Sequence, residues 1–108
     1  MVEKMLGKIT YAEFGKISDY PFLIGLQLGF EMNGCAVMDG GRYSVNISKE
    51  CKWTPEERAR EITIIVEKIN EILTAAKVNS ISQLIGKPVE VTLVNNTFKE
   101  FRILTEVL

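Results

Sequence analysis

The stretch PFLIGLQLGFEMNG, residues 21–34, decides how the chain folds. Phe22, Ile24, Leu26, Leu28, Phe30 and Met32 occupy every second position without a break, the period of a β-strand that buries one face. The opposite face reads Leu23, Gly25, Gln27, Gly29 and Glu31. Two glycines two positions apart on that face leave a bare strip of backbone, which suits a close approach by another element, a bend in a twisted sheet, or a ligand. Asn33-Gly34 follows at once and is a strong hairpin signal, because both central residues of a type I′ turn take positive φ. The chain therefore turns back on itself, and a strand returns over residues 35–38.

Working outward, Asp39-Gly40-Gly41 breaks the ladder with a second turn, and Tyr43, Val45 and Ile47 resume the alternation to about Ser48. Upstream, residues 5–14 read as a first strand and residues 15–20 as its exit loop. The N-terminal half is a meander of three or four antiparallel strands. Thr54-Pro55-Glu56-Glu57 then starts a helix: Thr54 caps, Pro55 fits the first helical position and Glu57 completes the capping box. Ala59, Ile62, Ile65, Val66, Ile69, Ile72, Leu73 and Ala76 recur at three- and four-residue steps and predict one amphipathic helix over residues 55–77. Ile64 falls off this stripe, nearly opposite Ile62. Residues 88–94, a turn at Asn95-Asn96-Thr97 and residues 98–107 form a closing hairpin. The order predicts a single α+β domain over residues 1–108: a mostly antiparallel sheet of five or six strands, the N-terminal meander plus the C-terminal hairpin, packed against one long amphipathic helix.

Composition narrows the chemistry. The chain has 108 residues, and its 46% hydrophobic and 25% charged content is that of one globular domain. Thirteen Lys and Arg against fourteen Asp and Glu give a net charge of -1, spread evenly, so neither half is a basic nucleic-acid face. There is no histidine, which removes the commonest general base and the commonest metal ligand. Cys35 and Cys51 are too few for a disulfide framework and are not spaced as a zinc half-site, so they read as reduced thiols of a cytoplasmic protein. Cys51 sits beside Lys52 and just before a helix start, but no second group accompanies it as a catalytic partner. Gly15-Lys16-Ile17-Ser18 lacks the spacing of a phosphate-binding loop. Glu56 and Glu57 fall in a first helical turn, where the helix dipole favours acidic residues. No signal peptide and no membrane span is present. The expectation is a protein with no catalytic residues, no metal and no cofactor.

A binding site is easier to assemble. Seven of the nine aromatics precede the helix, and several flank turns. Tyr20 ends the first loop, Arg42 and Tyr43 follow the glycine pair, and Lys52, Trp53 and Arg58 surround the helix cap. Aromatic faces beside Arg and Lys suit a nucleotide, with a plane for the base and cations or helix N-terminal amides for the phosphate. The competing role for Trp53 is a hydrophobic staple folded back over the stem of Arg58. The candidate ligand-binding set is Tyr20, Arg42, Tyr43, Lys52, Trp53 and Arg58.

Four stretches carry a family resemblance: GKITYAEFGK at residues 7–16, CKWTPEER at 51–58, AAKVNSISQLIGKPVEVTL at 75–93 and FRILTEVL at 101–108. Together they resemble small single-domain proteins of phages and other mobile elements, and are similar to one of the type II-A anti-CRISPR families, with its strand-helix-hairpin outline and lysine-tryptophan cap before the helix. The resemblance implies counter-defence in the host bacterial cytoplasm without catalysis. It implies one of two partners. The first is a cyclic nucleotide or cyclic ADP-ribose immune signal, sequestered by a homo-oligomer in the manner of the sponges that disarm CBASS and Thoeris immunity. The alternative is a type II-A CRISPR nuclease inhibited directly. Inhibitors that mimic DNA are strongly acidic and this chain is not, so the sponge is the primary expectation.

Overall fold

The computed structural model describes residues 1–17, 20–48 and 52–107. Six strands and one long helix follow in the order β1 (Val2–Ile17), β2 (Tyr20–Met32), β3 (Cys35–Met38), β4 (Tyr43–Asn46), α1 (Pro55–Ala76), β5 (Pro88–Val94) and β6 (Thr97–Ile103). Short 3₁₀ turns at Ile81–Leu84 and Thr105–Val107 precede β5 and follow β6. Every strand pairing is antiparallel, and the sheet order is β3-β2-β1-β5-β6. β4 also pairs β2, against residues 23–26, below the residues 29–32 that β3 takes. The fold is the α+β arrangement that the alternation predicts. No helix among the described residues is long and apolar enough to cross a membrane.

Strand bounds depart from the sequence pattern where pairing overrides composition. β1 extends through Gly15 and Lys16, which stand opposite Gly25 and Ile24, so residues expected in an exit loop belong to the hairpin. Ser18 and Asp19 of that expected loop lie outside the described residues. At Asn33-Gly34 only the glycine has positive φ, at 82°, so this two-residue turn is not type I′. A two-residue hairpin turn with both φ positive occurs instead at Asn95-Asn96, with φ of 51° and 63°, between the paired residues Val94 and Thr97.

Residues opposite one another in an antiparallel ladder point to the same face. Ile9, Phe30 and Val37 therefore share a face, as do Leu26 with Tyr43 and Val91 with Phe101. This face carries the core, in which Ile9, Leu26, Leu28, Phe30, Val89 and Val91 are all but inaccessible. The sheet curls around it. β2 and β6 stand three places apart in the sheet order, about 14 Å if the sheet were flat. Yet the Phe30 ring stacks on Phe98 at 5.3 Å with 6° between planes, and lies 4.9 Å from Phe101. Tyr43 of β4 meets both β6 rings edge-on, at 6.5 and 6.1 Å. Aromatic packing thus draws the two edges of the sheet together across the core.

α1 spans that gap. Its neighbours in space are β4, β6 and the 3₁₀ turn at Ile81–Leu84. The helix begins on the Thr54 capping box, where the Glu57 N–H donates to Thr54 Oγ1 at 3.1 Å and the Thr54 N–H to Glu57 Oε1 at 3.4 Å. It ends one residue earlier than its periodicity predicts, at Ala76, because Lys77 adopts the left-handed conformation. Ile72 and Ala76 are buried, and Ile69 and Leu73 pack partly on the core. Ile62 and Val66, expected on the buried stripe, remain 41% and 57% exposed. A helix that bridges two sheet edges meets the core over its C-terminal half only.

Candidate functional site

The turn between β3 and β4 is built around Asp39. Its N–H donates to the Leu28 carbonyl at 3.0 Å, while its carboxylate accepts from the Leu28 N–H at 3.2 Å and the Gly41 N–H at 3.1 Å. One side chain thereby supplies the next rung of the β2 to β3 ladder and closes the turn through Gly40 and Gly41, both at positive φ. Burial raises the Asp39 pKa, against the opposing influence of the two backbone N–H groups and of Arg42.

This turn walls a cavity of about 480 Å³. Ile17, Tyr20, Leu23, Gln27 and Met38 line the rest of it. The size suits a small ligand, and the lining is mostly apolar with a few polar groups, as in most ligand sites. Tyr20 and Met38 are 54% and 48% exposed, and Gln27 is half-buried. Among the described residues the Gln27 amide makes no side-chain hydrogen bond. Its strand neighbours are occupied differently. A Cβ on Gly25 would meet the Tyr43 carbonyl oxygen, and one on Gly29 would fall 2.9 Å from both Met38 Sδ and Tyr11 Cβ. The glycine strip is thus covered by β4 and by two side chains of this protein, which is the packing explanation of its sequence, and Gln27 stands between the two covered points.

The six residues singled out by sequence go to three places. Tyr20 lines the cavity, and Arg42 follows its wall in the chain with its guanidinium 5.9 Å from the centre of the Phe98 ring. Tyr43 is buried among Phe98 and Phe101, so neither face of its ring is free to stack a ligand, and burial pushes its phenol up to about 12. Lys52, Trp53 and Arg58 stand at the N-terminus of α1. There the Arg58 Nη2 donates to the Ser48 carbonyl at 3.1 Å, Trp53 is half-buried and Lys52 is exposed. The Arg58 Nε is buried and has no hydrogen-bond partner among the described residues. Cys51 lies outside the described residues, and Cys35 is an exposed free thiol. Among the described residues no three His, Cys, Asp or Glu side chains gather as metal ligands.

Sequence reasoning missed Gln27, Leu23, Ile17 and Met38 as cavity residues. The signal was present, since Gln27 is the one amide on the glycine face of β2 and Asp39-Gly40-Gly41 is a turn that must fold beside that face. No protein-family model matches the chain, and neither a curated protein nor a solved structure matches it.

Proposed function

We propose that this chain is a counter-defence protein of a phage or other mobile element that binds a cyclic nucleotide signal without converting it, seating a base in the Tyr20–Gln27 cavity. One observation carries the binding reading: the Tyr20 ring and the unengaged Gln27 amide line the same cavity. A carboxamide offers one acceptor and two donors, the complement of a base edge. A phenol ring supplies a stacking plane that any base can use. The class of role rests on the resemblance of four stretches to anti-CRISPR proteins. Of the six residues singled out by sequence, Tyr20 lines this cavity and Arg42 follows the turn that walls it.

A second reading is favoured by the charge of the cavity. Among the described residues its lining holds Asp39 and no Lys or Arg, so the phosphates of a nucleotide would remain outside it. The alternative that needs no phosphate site is direct inhibition of a type II-A CRISPR nuclease by surface contact.

A thermal-shift screen against cyclic dinucleotides, cyclic trinucleotides and cyclic ADP-ribose isomers separates the two, because a ligand that binds only the folded chain raises its melting temperature by mass action. The proposed function expects a shift with at least one class and recovery of that ligand intact. No shift with any of them removes the nucleotide reading and directs the search to pull-down of a nuclease.

A further inference from the structure

β1 is an interior strand over only half of its length. β5 pairs with its residues 2–8, and on that side the ladder stops at Ile9, whose N–H donates to the Lys87 carbonyl at 3.0 Å and whose carbonyl accepts from the Gly86 N–H at 2.7 Å. Beyond that point β1 runs on to Ile17 with a strand, β2, on one side alone. Parity assigns the backbone groups of the other side. Leu28 directs its N–H and carbonyl to Asp39, and the Phe22 carbonyl accepts from the Ile47 N–H, so the even-numbered residues of β2 direct their backbone away from β1. In an antiparallel ladder, opposed residues share that orientation. Ala12, Phe14 and Lys16, opposite Leu28, Leu26 and Ile24, therefore aim their N–H and C=O groups at the open side, where none has a hydrogen-bond partner among the described residues.

We propose that a second copy of this chain occupies this edge, its β1 running antiparallel to the first about a two-fold axis at Phe14. A row of unpaired, alternating donors and acceptors is complementary to an extended strand, not to a helix or a smooth apolar surface. Which strand is decided by the edge sequence, which matches itself. With Phe14 opposite the partner's Phe14, Ala12 meets the partner's Lys16 and Glu13 meets the partner's Gly15, and the axis repeats each pair. The Phe14 side chain, 54% exposed in one copy, gains an aromatic neighbour. Glu13 lies beside a glycine at which even an added Cβ would meet nothing within 4 Å. No like charges are opposed. A slip of one residue would set outward backbone groups against inward ones. An axis at Glu13 would oppose two carboxylates, and an axis at Gly15 would oppose two glycines.

The paired stretch is also the regular part of the edge. Irregularities in the β1–β2 register fall between Ile9 and Tyr11 and between Lys16 and Ile17, on either side of it. Residues 10–17 contain no proline, a usual block on an open edge. The other edges of the sheet differ, since β3 and β4 have four residues each, and β3 and α1 lie against β6. The same pairing brings the partner's Tyr11 beside Ile17, which lines the cavity, so the second copy borders the candidate site.

Sedimentation equilibrium and amide hydrogen exchange on the full chain test this. The expected result is a mass of twice 12.2 kDa at micromolar concentration, with the Ala12, Phe14 and Lys16 amides protected in the dimer and exposed on dilution. Phe14→Pro should sediment as a monomer with an unchanged circular-dichroism spectrum, because the N–H that proline lacks points away from β2 and belongs to no rung of the fold. Gly15→Glu, opposite the partner's Glu13, should weaken the dimer about 2- to 30-fold through its two symmetric like-charge pairs, and Gly15→Lys should strengthen it. A monomeric mass at all concentrations overturns the proposal, as does a dimer whose Ala12, Phe14 and Lys16 amides exchange freely or one that Phe14→Pro leaves intact. A dimer indifferent to the charge at residue 15 overturns the register.

Discussion

The ring of Phe98, on the edge strand β6, lies flat against the ring of Phe30, on β2, although two strands separate them in the sheet. That contact records the curl of the sheet, and Tyr43 and Phe101 complete the cluster around it. Phe98→Ala should lower unfolding free energy by about 3–5 kcal/mol, the usual loss for a buried aromatic. Urea denaturation followed by circular dichroism checks it. A loss under about 1 kcal/mol would mean that β6 is not held against β2.

Asp39 should matter through its carboxylate oxygens rather than its charge. Asp39→Ala leaves the buried Leu28 N–H without its acceptor and should cost about 1–3 kcal/mol. Because burial holds its pKa above the ordinary value of 3.8, folding favours its protonated form. Its contribution to stability is greatest below that value and declines as pH rises through the folded pKa. The stability difference between the native chain and Asp39→Asn should therefore change across the acid range and level off at neutral pH, as measured by denaturant titrations at a series of pH values.

Tyr43 gives the opposite end of the pH scale. Its phenol is raised from 10.0 to about 12, so the fold retains a proton that the unfolded chain releases. The associated stability is present below pH 10 and lost as pH rises through 12. The loss is on the order of 3 kcal/mol for two pH units. Tyr43→Phe should abolish that part of the alkaline decline, as comparison of melting curves from pH 9 to 12 would show. Equal decline in both proteins would contradict the burial of this ring.

Two glycines in one cross-strand pair should behave differently. Gly25→Ala places a Cβ against the Tyr43 carbonyl, and should cost about 1–3 kcal/mol by forcing β4 away from β2. Gly15→Ala opposite it meets nothing within 4 Å and should change stability by less than about 0.5 kcal/mol. Thermal melts of the two variants side by side make the comparison.

Much of this architecture was legible in the residues. Uninterrupted alternation predicted β2, whose face is buried from Leu26 to Met32 while Phe22 stays 44% exposed, and Thr54, Pro55 and Glu57 marked the start of α1 to the residue. The closure of the sheet was not legible, because it depends on Phe30 and Phe98 meeting across 68 residues of chain, and periodicity reports only local faces. For the same reason the helical stripe overstated burial at Ile62 and Val66. The candidate site was half visible. Proximity to turns singled out Tyr20, which lines the cavity, and Tyr43, which follows a different turn and points into the core, since its pairing with Leu26 fixes the face it occupies. Gln27 escaped notice because one amide among glycines carries no charge and no motif.

Whether the Tyr20–Gln27 cavity binds a cyclic nucleotide is read by titration calorimetry of the chain with cyclic dinucleotides, cyclic trinucleotides and cyclic ADP-ribose isomers, with Tyr20→Ala, Gln27→Ala and Trp53→Ala titrated in parallel. The expected result is saturable binding of one ligand class, weakened by about 1–3 kcal/mol in Tyr20→Ala and Gln27→Ala and unchanged in Trp53→Ala. No binding heat with any ligand, or binding that depends on Trp53 and ignores Gln27, would contradict it.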